Sequence, residues 1–261
     1  MESDINVTLP SLRRTVLHTD KRYMDLKENV QWFSIFLLLL LSLMHSSYIF
    51  LCLLWTIEII VIGNVKRIHS QKFKKTTLLI RRCLYIIPLL FPLIIKNEPP
   101  LKSFFLIEWT IFAIILGLLC LLPKYKEWRI LLSNEYIQMS KAKSNSHLIS
   151  IITLLVCAPI AEEYFFRFFI ISINDFTIIN YIISCFLFFL SHYGVKWSQK
   201  FNKYDFLLQI IFSVLSGLLY ILSNSIVPSI IFHLIYNTPR IIYNLKLIRY
   251  SYKNVLRREA T

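Results

Sequence analysis

The stretch Ala158-Pro159-Ile160-Ala161-Glu162-Glu163-Tyr164-Phe165-Phe166-Arg167 sets two acids and a base inside an apolar run from residue 148 to 173. Ionisable side chains at bilayer depth are costly and mark function by default. On a helix Glu163 and Arg167 stand four residues apart on one face, acid before base, the favourable order for an ion pair. Glu162 is turned by about 100° from its neighbour and lies off that stripe. One carboxylate can then be held ionised by the guanidinium while the other acts on something else. Pro159, one turn earlier, is placed to kink the helix and loosen its ladder near the pair. The rival reading is a buried Glu–Arg pair that only fixes helix register.

The rest of the chain supports a membrane setting. Of 261 residues 56% are hydrophobic and four are glycine, and the mean hydropathy is +0.58. Lys and Arg number 29 against 15 acids, for a formal charge of +14, yet only 17% of residues are charged and they cluster between apolar runs. That excludes a disordered chain and a nucleic-acid-binding domain, whose basic residues would lie on a soluble face. Cys52, Cys83, Cys120, Cys157 and Cys185 sit in apolar runs without metal-site spacing and read as packed, reduced thiols. Residues 1 to 30 are polar, so no secretory signal opens the chain and the N-terminus is expected to stay uncleaved.

A spanning helix needs about 20 mostly apolar residues. Candidates lie at 28–44, 47–64, 78–95, 103–122, 148–173, 176–192, 205–222 and 226–247, predicting an all-α polytopic membrane protein of about eight helices. Only His45, Ser46 and Ser47 separate the first two. Basic residues confirm the alternation: Arg13, Arg14, Lys21, Arg22, Lys27, the cluster Lys66 to Arg82, the linker Lys124 to Lys143, Lys196, Lys200, Lys203 and the tail from Arg240 to Arg258 share one side. Lys96 and Lys102 take the other. Both termini are expected to be cytoplasmic. The organisation is a polar segment and four spans over 1–147, a four-helix core over 148–250 and a basic tail over 251–261, with no internal repeat.

Outside the central stretch, Glu58 and Glu108 lie near helix ends, where each can snorkel or cap a packing contact. His192 ends Phe188-Phe-Leu-Ser-His192, and His233 and Asn237 stand one turn apart on one face of a later helix. A lone intramembrane His commonly serves as interhelical glue; the i, i+4 His and Asn suit a shared task. His18, His45, His69 and His147 fall in polar segments or at helix ends and carry no expected chemistry.

Two carboxylates, an Arg, two imidazoles and an amide in apolar surroundings can make a hydrolytic site, a metal site or a proton relay. For hydrolysis, Glu162 would draw a proton from water, His192 would orient that water, and His233 with Asn237 would donate to the developing oxyanion. Glu162, Glu163, His192 and His233 are the alternative, a zinc ligand set. The spacing HExxH is absent, so Glu-activated water without a cofactor is preferred.

Glu162-Glu163-Tyr-Phe-Phe-Arg167 resembles the EExxxR motif of the CPBP family of CAAX proteases and bacteriocin-processing enzymes, Phe188-Phe-Leu-Ser-His192 its FxxxH and His233-Leu-Ile-Tyr-Asn237 its HxxxN, in the same order. The resemblance covers roughly residues 148 to 240, including Gly217-Leu-Leu-Tyr220 and Pro228. It implies an intramembrane endopeptidase, glutamate-dependent or metal-dependent, acting on a membrane-associated peptide or protein; the alternative reading is a non-catalytic membrane immunity or chaperone protein that uses the same pocket for binding. Many bacterial relatives of this kind are linked to bacteriocin immunity or peptide maturation, and the composition, rich in Ile, Leu, Phe, Lys and Asn and poor in Gly and Ala, suggests an AT-rich bacterial genome and so a bacterial cytoplasmic membrane. One expectation conflicts with this: the span limits place Glu162 about 14 residues, or 21 Å, into its helix, whereas His192 lies at the end of its own. As drawn, they do not meet.

Overall fold

The computed structural model describes residues 29–65, 68, 74–94, 105–140, 144–196 and 203–259, and every regular element among them is helical. Apolar runs in lipid can satisfy their backbone groups only internally, which makes helix the required state. The elements are α1 (Asn29–Ser42), α2 (Ser47–Asn64), α3 (Lys74–Leu90) with a 3-10 turn Phe91–Ile94, α4 (Leu106–Leu121), the short α5 (Tyr125–Leu131) and α6 (Asn134–Met139), α7 (Asn145–Glu163) continued by a π-helical segment Tyr164–Ile170, α8 (Thr177–Lys196), α9 (Lys203–Ser223) and α10 (Ile226–Glu259).

All eight apolar runs are therefore helices. Thr76–Ile94, Leu106–Leu131, Asn145–Ile170 and Asp205–Ser223 are long and apolar enough to cross a membrane; Asn29–Ser42, Ser47–Val61 and Thr177–His192 are shorter apolar helices. The first two runs are separate: the chain turns over Leu43 to Ser46, and Trp55 Nε1 donates to Ser34 Oγ at 2.8 Å across the resulting antiparallel hairpin. The last run opens a 34-residue helix that passes through residue 250, so the basic tail begins inside α10. Many of the residues behind the orientation argument, Arg13, Arg14, Lys21, Arg22, Lys27, Lys66, Lys96, Lys102, Lys143 and Lys200 among them, lie outside the described residues, as do His18 and His69.

The segment from Ala161 to Ile171 is buried throughout and forms the centre of the bundle. It packs against α3, α8, α9 and α10, while α10 lies along both α7 and α4. Outward faces stay apolar: Ile49, Leu53, Ile57 and Ile60 on α2 and Ile107, Ile111, Ile115 and Leu118 on α4 are exposed. A water-facing surface does not carry so much contiguous apolar area. Between helices in lipid, close packing replaces the hydrophobic effect and small residues let backbones approach. A Cβ on Gly117 of α4 would lie 2.7 Å from Ile235 Cγ2 of α10, and one on Gly217 of α9 would lie 2.5 Å from the Tyr181 ring. Asn224, with φ 49°, turns α9 into α10 in the left-handed region that Asn tolerates.

Two sequence expectations are corrected here. Glu58 does not snorkel: it is 1% exposed, and its Oε2 has no hydrogen-bond partner among the described residues. Glu108, in the first turn of α4, is exposed as expected. The five cysteines are free thiols, but Cys83 is exposed rather than packed, because it sits on the outer face of α3.

Candidate active site

Glu162 and Glu163, adjacent at the end of α7, point to different neighbours, as their 100° separation requires. Glu163 is fully buried and every face of its carboxylate is engaged. Its Oε2 accepts from Arg167 Nε at 3.1 Å and from Ser216 Oγ of α9 at 2.6 Å, and its Oε1 lies 2.8 Å from His233 Nδ1 of α10. Arg167, also fully buried, donates through Nη1 to Ser184 Oγ of α8 at 3.0 Å, and its guanidinium lies 4.5 Å from the centroid of the Phe188 ring, a cation–π arrangement. The Glu163–Arg167 pair predicted from spacing is thus present, and it ties α7, α8, α9 and α10 together below the reactive groups.

Glu162 faces the other way, into a cavity of about 330 Å³ that Tyr85, Ala158, Pro159, His192, His233 and Asn237 also line. Its Oε1 accepts from Tyr85 Oη of α3 at 2.6 Å. Its Oε2 lies 3.4 Å from His192 Nε2 and 3.7 Å from His233 Nε2. The ring tautomers follow from the outer partners. His192 Nδ1 lies 3.0 Å from Phe188 O, which can only accept, so Nδ1 carries a proton; His233 Nδ1 meets the Glu163 carboxylate and does the same. Both Nε2 atoms are thereby turned on Glu162, in neutral rings as lone pairs.

Asn237 completes the ring through a proline. Pro159 has no N–H, so the carbonyl four residues earlier, Leu155 O, has no partner in the α-helical ladder. Asn237 Nδ2 donates to it at 3.2 Å. This fixes the amide at the cavity wall with its second N–H still to be used. Pro159 loosens the ladder as expected but does not break the helix, and the winding changes to π only from Tyr164, a form frequent at functional sites.

The depth conflict is resolved by this cavity. Helix α7 begins earlier than expected, at Asn145, and α8 continues four residues beyond His192, to Lys196. Helix α7 still reaches well past the end of α8. That projecting part packs against α10 and α3, and the cavity runs along it from Glu162 to Leu154, about 12 Å at 1.5 Å per residue.

Glu162, His192 and His233 offer ligand atoms within 4.8 Å of one another. A tetrahedral zinc with bonds of about 2.0–2.1 Å has ligand–ligand edges of about 3.4 Å, close to the 3.4 and 3.7 Å separations. The outer partners, Phe188 O and Glu163, are the kind that orient metal-bound imidazoles. Two of the three edges thus match a zinc site, and these three residues could hold the ion. Glu163 does not join them, contrary to the four-ligand expectation, because it sits behind His233 on the Nδ1 side.

Sequence reasoning missed Tyr85, Ser184 and Ser216. A tyrosine or serine in an apolar helix carries no spacing motif; for Ser216, the neighbouring Gly217 was the available clue to a close helix crossing.

Residues 144–239 match the model of the Rce1-like family, described as type II CAAX prenyl endopeptidase Rce1-like. The match begins just before α7 and ends in α10 two residues past Asn237, so all three motifs fall within it. Comparison with curated proteins and with solved structures finds no match.

Proposed function

We infer from residues 144–239, which carry an Rce1-like domain of the CAAX protease family, that this multi-pass membrane chain is an intramembrane endopeptidase in which Glu162 activates water. The observation that carries the reading is the convergence of Glu162 Oε2 with two imidazole Nε2 atoms, at 3.4 and 3.7 Å, on one cavity. A water donating to Glu162 Oε2 and His192 Nε2 keeps a lone pair for the peptide carbon. Glu162 takes its proton as the C–O bond forms. The carbonyl oxygen, now an oxyanion, accepts from the second N–H of Asn237 and from His233, which to donate must hold a second proton on Nε2; each such donor is worth about 3 kcal/mol. Glu162 then passes its proton to the departing amine and the C–N bond breaks.

Glu163 and Arg167 act through His233 and touch no substrate: they hold the ring so that Nε2 faces the oxyanion. Tyr85 holds Glu162 Oε1, leaving Oε2 as the base. Should zinc be bound, Glu162, His192 and His233 would hold it, and it would supply Lewis acidity toward the carbonyl and a more acidic water.

In this reading all eight apolar helices are membrane-embedded, both termini are cytoplasmic, and the cavity opens on the side where α7 begins. The composition supports a bacterial origin and so a bacterial cytoplasmic membrane, and the family resemblance implies a task in bacteriocin self-immunity or peptide maturation. The test is incubation of purified wild-type and Glu162→Gln protein with membrane-associated peptides, with and without a chelator, read by mass spectrometry. Cleavage by the wild type alone, insensitive to the chelator, is expected; cleavage by both proteins rejects the reading.

A further inference from the structure

Polar residues bound the outward faces of three helices at one spacing. On α1, exposed Asn29 and exposed His45, just past the helix end, stand sixteen residues apart; on α4, exposed Glu108 and half-buried Lys124 do the same. Exposed Asn224 and Arg240 bound α10 over the same interval. At 1.5 Å per residue each interval is about 24 Å. Between these limits every exposed residue of α1 and α4 is apolar, Phe33, Phe36 and Leu40 on α1 and Ile111, Ile115 and Leu118 on α4 among them.

The limits fall at common levels. Lys124, where α4 ends, is paired with Asp205, where α9 begins, and α9 turns into α10 at Asn224, so α4 and α10 run the same way. Gly117 lies against Ile235, which puts Lys124 within two residues of the level of Arg240. Arg81 and Arg82 of α3 line the same cavity as Arg240. At the other edge His45 meets Phe176, just before α8, edge-on with ring centroids 6.3 Å apart. Helix α9 covers the interval from Asp205 to Asn224 in nineteen residues, the surplus being taken up by tilt and by the reach of the paired side chains. The start of α7 and the end of α10 pass beyond the inner edge, where α6 joins them through Ile137, Leu148 and Leu247 and Lys246 Nζ donates to Leu132 O at 2.7 Å. Their length therefore does not add to the apolar belt.

A typical bilayer has a hydrocarbon core of about 30 Å, about 6 Å more than this belt. A short belt is matched by snorkelling side chains or by thinning the bilayer. Lys124 is held by Asp205, and Asn29, His45 and Asn224 lack the long apolar stem that snorkelling needs. We propose that the outward faces of α1 and α4 select lipids with short acyl chains and thin the bilayer around the protein to about 24 Å. This rests on the reading that all eight helices are membrane-embedded and not on the hydrolytic chemistry. Its consequence for the site follows from α10: His233 stands seven residues from Arg240 and nine from Asn224, so both edges of the thinned layer lie within about 10–14 Å of the pocket along the helix.

The test is reconstitution of the full-length chain into phosphatidylcholine vesicles that mix an unbrominated oleoyl lipid with a brominated lipid of fourteen-, eighteen- or twenty-two-carbon monounsaturated chains. Quenching of tryptophan fluorescence reports which lipid lies against the protein, since Trp32 of α1 is 70% exposed. The fourteen-carbon lipid is expected to bind at least about threefold more strongly than the eighteen-carbon lipid, and the twenty-two-carbon lipid most weakly, as a mismatch cost that grows with each ångström requires. His45→Leu with Glu108→Leu moves the outer limit of both faces outward and should shift the preference toward eighteen carbons; His45→Gln with Glu108→Gln keeps the limit polar and should leave the preference in place. Equal binding of all three lipids, a preference for either longer chain, or a preference that the leucine substitutions do not move overturns the proposal. Quenching by every lipid with no length preference leaves the embedding of α1 intact and strikes only the thin belt, whereas no quenching by any of them strikes both. No turnover is needed, so a chain that cleaves nothing yet prefers short lipids would strike the protease reading alone.

Discussion

Tyr85 Oη donates to Glu162 Oε1 at 2.6 Å, joining the front half of the chain to the domain at the carboxylate proposed as the base. A hydrogen bond to a charged group is worth about 1.5–3 kcal/mol. Tyr85→Phe is therefore expected to lower kcat about tenfold to hundredfold with little change in KM, because the phenol orients the base and does not touch substrate. Steady-state cleavage kinetics check this; a loss confined to KM would assign Tyr85 to substrate binding instead.

Pro159 and Asn237 meet at Leu155 O, and this coupling gives opposite effects on stability and activity. Pro159→Ala restores the missing N–H, which competes with Asn237 for that carbonyl. Removing a proline from a helix interior relieves up to about 3 kcal/mol, so the thermal midpoint in detergent should not fall. Activity should drop, and Asn237→Ala combined with Pro159→Ala should cost less than the sum of the two losses, as expected of residues sharing one partner. Additive losses would break the link.

Glu163→Gln leaves Arg167 buried without a counter-charge. Breaking a buried pair from one side costs about 3–5 kcal/mol, so the variant should unfold at a markedly lower temperature. Glu163→Gln with Arg167→Met removes both charges and should recover much of that stability, yet activity should stay low because His233 has lost its anionic partner. Recovery of activity together with stability would reduce the pair to a packing device.

The close approach of α4 and α10 at Gly117 makes a structural prediction independent of catalysis. A methyl group there meets the branched Cβ of Ile235 at 2.9 Å as well as its Cγ2, atoms that cannot swing aside. Gly117→Ala should destabilise the fold by about 1–3 kcal/mol through overpacking, measured by thermal unfolding in detergent, whereas Gly63→Ala, with nothing within 4 Å of the added carbon, should not.

What the sequence made legible was what contrasted with its surroundings. Glu162, Glu163, Arg167, His192, His233 and Asn237 stand out because each is polar in an apolar helix, and helical period alone separated the two glutamates correctly. Tyr85 was not legible, since an aromatic residue in an apolar run looks like packing. Arg81 and Arg82 read as part of a basic cluster on one side of the membrane, because a topological charge and a cavity-lining charge have the same pattern along the chain. The offset of Glu162 and His192 along their helices was legible, since α7 and α8 both continue past the apolar limits by similar lengths; what those limits could not show was the cavity along the projecting part of α7. The role of Pro159 was half legible. Its missing N–H implied an open carbonyl at Leu155, but Asn237 lies 82 residues away and only the fold names it as the partner.

The most direct measurement compares the cleavage rates of wild-type and Glu162→Gln protein, purified in detergent, on one membrane-associated peptide, with product masses recorded. Glutamine keeps the shape of the side chain and can still accept from Tyr85, but it cannot take a proton from water. The account predicts a defined product with the wild type, a rate at least about a thousandfold lower with the variant, in line with the upper part of the range for general-base catalysis, and equal thermal midpoints for the two. A comparable rate from a well-folded Glu162→Gln protein would contradict it.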